Sequence, residues 1–293
     1  MNEIFFSNII GTLNRPDCLD SCLGSLEKQS YKNFEVVIID QSDDDLSTLV
    51  AEKYSRTMTI KYRKVNFRGL SKARNEALKI AQGNYFCLLD DDAFYDPNYL
   101  DNATEIIKRN VNNVILSGFI WDTVFEKPFV KYPNKKGGLT VNEVIRYCPS
   151  AALIIPYQVY KDIGGFDENF GVGAKFGCGE ETDYLLRAVN NNYAIIHSKE
   201  LYLSHPVPKN CTVIEMSADK QKYYAKGIGA LYKKHLLDKK ELKLIWPFIE
   251  RLIKPTIKMM LPFKYDSRKS FAEFCGFLVG LKEYKNENQE QLY

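Results

Sequence analysis

The chain has 293 residues, of which 45% are hydrophobic and 26% are charged. This composition is typical of a globular protein and excludes an intrinsically disordered one. A formal charge of +3, with no long run of basic residues, gives no support to a nucleic-acid-binding protein. The seven cysteines are scattered and include no CxxC pair, so they predict neither a zinc site nor a redox dithiol.

Short apolar runs alternate with helical patterns through the first half of the chain. Pro16 suits the first turn of a helix, and a second helix is predicted over 70–81, with Gly83 as its cap. The predicted strands lie at 4–10, 34–39, 58–62, 85–89 and 114–120. Strands that alternate with helices predict an α/β fold, with a mainly parallel sheet flanked by helices.

The next part of the chain is less regular. The segment 121–149 is punctuated by Pro128, Pro133 and the pair Gly137-Gly138 and is predicted to be irregular, as a loop. A strand over 151–155 follows, and a glycine-rich loop over 164–179 leads into a helix that begins near Glu180.

From Leu242 the pattern changes to a basic amphipathic helix with Trp246 as an aromatic anchor, which extends to Lys264. A second apolar helix is predicted over 271–281, where it can lie beside the first. A basic amphipathic helix suits the surface of an anionic bilayer, and packing against the catalytic part of the chain is the alternative. The sequence leaves both interpretations open.

The N-terminus, MNEIFFSNII, lacks the basic region and the cleavage site of a signal peptide. No uninterrupted apolar stretch reaches the roughly 18 residues needed to span a bilayer. We therefore expect a cytoplasmic protein, peripheral on the inner face of the cell membrane if the C-terminal helix binds lipid. We divide the chain into a main domain over 1–236 and an amphipathic helical region over 237–293.

Three successive acids, Asp90, Asp91 and Asp92, directly follow the predicted strand at 85–89. Adjacent carboxylates repel each other, so a cation is expected among them, and oxygen ligands suit Mg²⁺ or Mn²⁺. Open α/β sheets bind ligands at the carboxyl ends of their strands, where this cluster falls. A solvated acidic turn that caps the next helix is the alternative.

Three other residues could belong to the same site. Asp40 ends a predicted strand and can accept hydrogen bonds from a base or a ribose, although it can also cap the following turn. Arg74 belongs to a group of cations at the start of a helix, where phosphate oxygens are favoured, although a basic helix face is usually solvated. His205 could complete a metal site begun by the aspartates, although a lone histidine is more often packed or exposed.

A second group of acids, Glu180, Glu181 and Asp183, lies at the predicted start of a helix. Acids in a first helical turn are favoured by the helix dipole, so a structural role competes with a catalytic one. Glu180 and Asp183 share a helix face, whereas Glu181 points about 100° away from Glu180. One acid can therefore serve the structure while its neighbour faces a substrate.

Taken in order, these fragments resemble the family 2 glycosyltransferases, which have the GT-A fold. The resemblance covers about residues 5–235, and its segments are 11–15, 37–42, 69–75, 89–92, 164–168 and 179–183. It implies a Rossmann-like GT-A fold with a C-terminal helical appendage. The nucleotide-sugar half would lie at about 1–120 and the acceptor half at about 121–236.

The resemblance also implies roles for individual residues on the donor side. The residues expected to border the nucleotide pocket are Thr12, Asn14 and Arg15, with Asp40 at the base and Arg74 near the diphosphate. Asp90 and Asp91 are also expected to bind the donor. Asp92 and Asp90 would form the DxD pair that binds Mg²⁺ or Mn²⁺, with His205 as a further ligand.

On the acceptor side, the family usually has Glu-Asp where this chain has Glu180-Glu181. Glu181 therefore matches the position of the catalytic base, and the choice between Glu181, Glu180 and Asp183 stays open. In an inverting reaction this base removes the proton of the acceptor hydroxyl as the oxygen attacks the anomeric carbon.

We therefore expect an inverting, metal-dependent glycosyltransferase that acts on a saccharide or lipid-linked saccharide in bacterial surface polysaccharide synthesis. A metal-dependent sugar nucleotidyltransferase is one alternative, although neither GxxxxGK[ST] nor GxGxxG stands at a strand–helix turn. A catalytically silent carbohydrate-binding protein of the same fold is the other. No nucleic-acid partner is expected, and the sequence does not predict an oligomeric state.

Overall fold

The computed structural model describes residues 3–110, 113–133, 137–206, 216–261 and 266–285. Cys211 and the predicted end of the amphipathic helix at 262–264 lie outside these ranges. The chain forms two compact units, one made of Met1–Phe166 and Tyr184–Val207, the other of Asp167–Asp183 and Pro208–Tyr293. The domain boundary predicted at 236 falls inside the second unit and stays a prediction.

The first unit contains a nine-stranded sheet. Its strands are β1 (Phe6–Thr12), β2 (Phe34–Asp40), β3 (Ile60–Lys64), β4 (Tyr85–Leu88), β5 (Phe94–Tyr95), β6 (Ile115–Asp122), β7 (Lys127–Pro128), β8 (Leu153–Pro156) and β9 (Ile195–His205). They lie in the order β3-β2-β1-β4-β8-β6-β9-β5, and β7 pairs with β6. The first four are mutually parallel, whereas β8 is antiparallel to both β4 and β6.

Helices cover both faces of this sheet. They are α1 (Pro16–Glu27), α2 (Leu46–Tyr54), α3 (Leu70–Ile80), α4 (Tyr99–Arg109), α5 (Val141–Tyr147), α6 (Tyr157–Ile163) and α7 (Glu180–Asn190). Helices α1, α2 and α4 contribute to one apolar core, while α3, α5, α6 and the part of α7 from Tyr184 contribute to another. Strands β1 and β2 are buried almost throughout because both of their faces are covered. The predicted α/β fold is confirmed.

Two local predictions are wrong. The segment 121–149 is not irregular throughout, because it contains β7 and α5, and α5 begins with a capping box between Thr140 and Glu143. The cap of α3 is Ala81 rather than Gly83. Gly83 serves a close backbone approach instead, since a Cβ there would lie 2.6 Å from the amide nitrogen of Ser7.

The second unit is helical, as predicted for the end of the chain. It contains α8 (Ala218–Tyr232), α9 (Ile245–Met260) and α10 (Ser267–Glu283). Helices α8 and α10 touch through glycines: a Cβ on Gly229 would lie 2.0 Å from the carbonyl oxygen of Phe277, and one on Gly280 would lie 2.0 Å from that of Lys226. Only residues without side chains allow two helix backbones to come this close. Within the described ranges, the helices are all too short or too polar to cross a membrane.

Candidate active site

The carboxyl ends of three neighbouring strands meet at one edge of the sheet in the first unit. Strand β1 lies between β2 and β4 and is parallel to both. Thr12 at the end of β1 pairs with Asp40 at the end of β2. On the other side, the amide of Leu89, just after β4, donates to the carbonyl oxygen of Ile9 at 3.1 Å. The acids that follow β4 therefore lie beside the loop that follows β1.

Asp91 is held by this loop. The Thr12 hydroxyl donates to Asp91 Oδ2 at 2.8 Å, and Arg15 Nη1 donates to Oδ1 at 2.8 Å. Burial raises the pKa of the Asp91 carboxyl to about 6, although Arg15 and Thr12 act in the opposite direction. Asp91 thus fixes the position of Arg15, whose side chain remains 41% exposed.

Asp90, Asp92 and His205 form a compact cluster, in which each residue has a ligand atom within 4.8 Å of the others. His205 ends β9 and reaches the acids because β9 pairs with β5, the strand directly after the acid run. His205 Nε2 lies 3.1 Å from Asp92 Oδ1, and Arg15 donates to Asp92 Oδ2. The structure thus brings together the three residues for which a metal site was predicted, and their binding of a metal stays a prediction.

The charges of the cluster favour an ionised carboxylate at its centre. Burial opposes ionisation of Asp92, but His205 and Arg15 outweigh burial and hold its pKa at about 2. Burial also opposes the charged form of His205 and so acts to lower its pKa. The hydrogen bond with Asp92 is the stronger effect, and the pKa of His205 is raised.

These residues fit a divalent cation. Two carboxylates and an imidazole suit Mn²⁺, and carboxylate oxygens suit Mg²⁺. The Nε2 atom of His205 faces Asp92, 3.1 Å from Oδ1, so this ring nitrogen is placed to act as a ligand beside the carboxylates. Asp90 and Asp92 supply hard oxygen donors beside it.

Arg74 lies behind the cluster. It is only 2% exposed, and its Nη2 lies 3.2 Å from Asp90 Oδ1. Its guanidinium is 5.7 Å from the centre of the Phe166 ring. Arg74 therefore orients Asp90, and its predicted contact with the diphosphate stays a prediction.

Asp40 and Asn14 lie on the β2 side of the same edge. Asp40 is completely buried; it accepts hydrogen bonds from the Ser42 amide at 2.8 Å and from the Tyr62 hydroxyl at 2.5 Å. Asn14 adopts φ of 54°, and its amide donates to the Ser42 hydroxyl at 2.8 Å. Both residues shape the loops at the ends of β1 and β2, and their contact with a nucleotide stays a prediction.

The second group of acids belongs to the second unit. Asp183 is completely buried, and its Oδ1 lies 2.6 Å from Lys234 Nζ and 2.8 Å from His235 Nε2. His235 Nδ1 in turn lies 2.7 Å from Glu241 Oε1, and Lys234 also reaches Asp167 Oδ2 at 2.8 Å. Asp183 is thus part of a buried ionic network.

Glu180 and Glu181 differ from Asp183 and from each other. Glu180 is buried, whereas Glu181 is partly exposed. Both lie in the first turn of α7, after Gly179, whose φ of +99° suits only glycine. Glu181 is therefore the most accessible of the three acids.

Sequence reasoning missed several residues that support these sites. Tyr62 holds Asp40, and Asn75 holds Phe166 by hydrogen bonds of 2.9 and 2.7 Å to its carbonyl and amide. Lys234 and His235 hold Asp183 from about 50 residues away. Asn75 lies in the segment 69–75 of the family resemblance, but no role was predicted for it. Tyr62, Lys234 and His235 belong to no motif, so only the tertiary contacts reveal them.

Comparison with known proteins identifies the family. The model of glycosyl transferase family 2 matches residues 7–164, which is more than half of the chain. The chain belongs to glycosyl transferase family 2. The family 2 match contains the run Asp90 to Asp92 and ends before His205 and Glu181.

Bacterial glycosyltransferases align with part of the chain. The amylovoran biosynthesis glycosyltransferase AmsB of Erwinia amylovora is 33% identical over 37% of this chain and 38% of its own length. The poly(ribitol-phosphate) β-N-acetylglucosaminyltransferase TarS of Staphylococcus aureus is 32% identical over 38% of this chain and 20% of its own length. The Escherichia coli protein WfaP is a UDP-Glc:α-D-GlcNAc-diphosphoundecaprenol β-1,3-glucosyltransferase. It is 30% identical over 42% of this chain and 51% of its own length. The aligned regions span about half or less of these relatives.

Solved structures confirm the predicted GT-A fold. TarS 1-349 in complex with UDP-GlcNAc matches with a TM-score of 0.59 and 19% identity, over 95% of this chain and 91% of that one. The mannosyltransferase PcManGT of Pyrobaculum calidifontis, in complex with GDP-Man and Mn²⁺, matches with a TM-score of 0.65 and 14% identity, over 96% and 87%. At these identities the similarity concerns the fold alone.

Proposed function

We propose that this family 2 chain is an inverting, metal-dependent glycosyltransferase that moves a sugar from a nucleotide-sugar donor to a hydroxyl group. The observation that carries the proposal is the cluster of Asp90, Asp92 and His205 at the carboxyl edge of the sheet. Its donor set fits a divalent cation, and this edge is where open α/β sheets bind ligands.

The donor is a sugar linked to a nucleoside diphosphate. UDP-GlcNAc and GDP-Man in complexes of the structural neighbours support this class of donor. A divalent cation held by Asp90, Asp92 and His205 would supply positive charge to the leaving diphosphate. Arg15, partly exposed beside Asp92, adds a second positive charge there, and Thr12 keeps the loop in place through Asp91.

Glu181 is the proposed catalytic base. A base must reach the proton of the acceptor hydroxyl, and Glu181 is the partly exposed acid of its group. Asp183 is unsuited to this step because it is completely buried and paired with Lys234 and His235. Its role is to hold the first turn of α7, and with it Glu181, in place.

The acceptor is a saccharide or a lipid-linked saccharide in the assembly of a bacterial surface polysaccharide. This proposal is supported by the names of the aligned relatives, which include an acceptor on diphosphoundecaprenol for WfaP and a poly(ribitol-phosphate) for TarS. A hydroxyl nucleophile is common to both.

The experiment is a donor panel. The full chain is incubated with UDP-, GDP- and dTDP-sugars, with Mn²⁺, Mg²⁺ or EDTA, and with saccharide or lipid-diphosphate-saccharide acceptors. We expect one donor class to release nucleoside diphosphate and to form a glycosidic product of inverted anomeric configuration, with no release in EDTA.

Three outcomes would contradict the proposal. Pyrophosphate release from a sugar phosphate and a nucleoside triphosphate would identify a nucleotidyltransferase. Saccharide binding without turnover of any donor would identify a silent carbohydrate-binding protein. Full turnover in EDTA would remove the metal from the mechanism.

A further inference from the structure

Helix α9 leaves five of its large apolar side chains exposed to water. Within the helix, only Pro247 and Pro255 are buried. Trp246 is 70% exposed and Met260 is 76% exposed, and Ile253 and Ile257 are each 49% exposed. An exposed group of large apolar residues on one element is unusual for a monomeric protein and marks an interaction surface.

These four residues form one stripe. Trp246, Ile253, Ile257 and Met260 are spaced by seven, four and three positions, and at about 100° per residue they fall within about 60° of one another on the helix. We call them the α9 stripe. Leu242, in the turn before the helix, is also 70% exposed.

The stripe has a basic flank. Residues 242–261 contain Lys243, Arg251, Lys254 and Lys258 and a single acid, Glu250. The three cations within α9, Arg251, Lys254 and Lys258, lie about 80–140° from Trp246, all on the same side of the stripe. Lys243 lies in the turn before the helix. An apolar stripe beside a basic flank complements a surface that is apolar inside and negatively charged at its boundary.

The basic flank also borders a groove within the second unit. The groove has a volume of about 480 Å³ and is lined by Arg251, Lys254 and Lys258 together with Tyr224 and Phe277. Lys258 pairs with Glu273 at 3.0 Å, and Lys254 pairs with Glu250. Such partly exposed pairs contribute little to stability, so the ammonium groups can exchange carboxylate for phosphate.

We infer that the α9 stripe and its basic flank dock the protein onto a bilayer that contains anionic phospholipids. Helix α9 has 16 residues, or about 24 Å, and lies in the plane of the interface. Trp246, Ile253, Ile257 and Met260 enter the boundary between headgroups and acyl chains, and the cations contact the lipid phosphates. This inference is independent of the proposed enzymatic activity.

The test is binding of the full chain to vesicles of phosphatidylcholine alone or mixed with phosphatidylglycerol. We expect sedimentation with the anionic vesicles, weakened by salt. The combined variant Trp246→Ser, Ile253→Ser and Ile257→Ser should bind at least about tenfold more weakly. The double variant Lys254→Gln and Lys258→Gln should bind the anionic vesicles more weakly, by about fivefold for each charge removed.

A matched control keeps the result specific. Leu46 and Leu49 of α2 are exposed by 50% and 61%, and their double substitution by serine should leave vesicle binding unchanged. If this control lost as much vesicle binding as the stripe variant, nonspecific hydrophobic adsorption would explain the binding and the inference would be wrong. Unchanged melting temperatures would show that each variant is folded.

Tryptophan fluorescence gives a second readout. The chain has two tryptophans, Trp121 and Trp246, so Trp121→Phe leaves Trp246 as the reporter. Its emission should shift to shorter wavelength when anionic vesicles are added. An emission that does not shift would overturn the inference. The inference would also be wrong if the protein bound no vesicles and formed a dimer that the stripe substitutions dissociate, because the stripe would then contact a second copy of the chain.

Discussion

Replacing Asp92 by asparagine separates the ionic role of this residue from its role as a metal ligand. The pKa of Asp92 falls from 3.8 to about 2, and one pKa unit corresponds to about 1.4 kcal/mol, so its partners favour the carboxylate by about 2 kcal/mol. His205 is largely buried, whereas Arg15 is 41% exposed, so solvent screening reduces the part due to Arg15.

In EDTA at neutral pH, Asp92→Asn should therefore lower the free energy of unfolding by about 1–2 kcal/mol. With Mn²⁺ at 100 times its dissociation constant, the wild type should gain about 2.7 kcal/mol. The variant should gain little of this, because asparagine supplies no anionic ligand. Urea denaturation with and without Mn²⁺ measures both quantities.

Glu35→Gln is the matched control. Glu35 is also buried and ion-paired, with Lys61 at 2.7 Å, but it lies near the start of β2, at the other end of the strand from the acid cluster. This variant should lose stability and keep the full gain with Mn²⁺. An equal Mn²⁺ gain in Asp92→Asn and the wild type would refute the assignment of Asp92 as a ligand.

The remaining predictions concern the proposed base, the helix contacts and the β2 loop. Glu181→Gln should slow transfer by about 10² to 10⁴ while leaving donor affinity by calorimetry unchanged, and a fully active variant would reject Glu181 as the base. Asp183→Asn should instead lower the free energy of unfolding by about 1.5–3 kcal/mol, because Lys234 and His235 each lose one of two carboxylate partners and keep Asp167 and Glu241; a smaller change in urea denaturation would argue against the network. Gly280→Ala should destabilise by about 1–3 kcal/mol because the added carbon meets backbone, whereas Gly24→Ala, which meets one side-chain hydroxyl at 3.1 Å, should be neutral or stabilising by up to about 1 kcal/mol. Tyr62→Phe should cost about 1.5–3 kcal/mol through the lost hydrogen bond to a buried carboxylate, and an unchanged urea midpoint would contradict this.

Several strands and helices of the first unit were predictable, because burial on one or both faces imposes a period that the sequence records, whereas α2, α4 and α6 were not predicted individually. Helix α1 is an example, with Leu19, Cys22, Leu23 and Leu26 all buried. Helix α5 was missed although Thr140 and Glu143 form a readable capping box, because the surrounding prolines and glycines dominated the interpretation. The prediction failed because two local signals, the capping box and the residues that break helices, pointed to different structures.

The candidate site was predictable in part. The acids after β4 stand out because three carboxylates follow a buried strand, and His205 was predicted as a further ligand because an imidazole could complete a metal site. The contact of His205 with Asp92 depends on the pairing of β5 with β9, which joins segments about 110 residues apart in sequence. The family resemblance matched Glu181 to the base but left the choice among Glu180, Glu181 and Asp183 open, and the burial of these side chains differs.

What the sequence determined by itself is local: which segments form strands and helices, where acids follow a strand, and which helix carries both apolar and basic residues. These properties depend on neighbours along the chain, within one or two turns or across one pleat. Only the tertiary structure decided which acid is buried in an ionic network, which glycines let helices touch, and which face of α9 stays in water. Each of these depends on side chains brought together from distant positions, and no local pattern records those contacts.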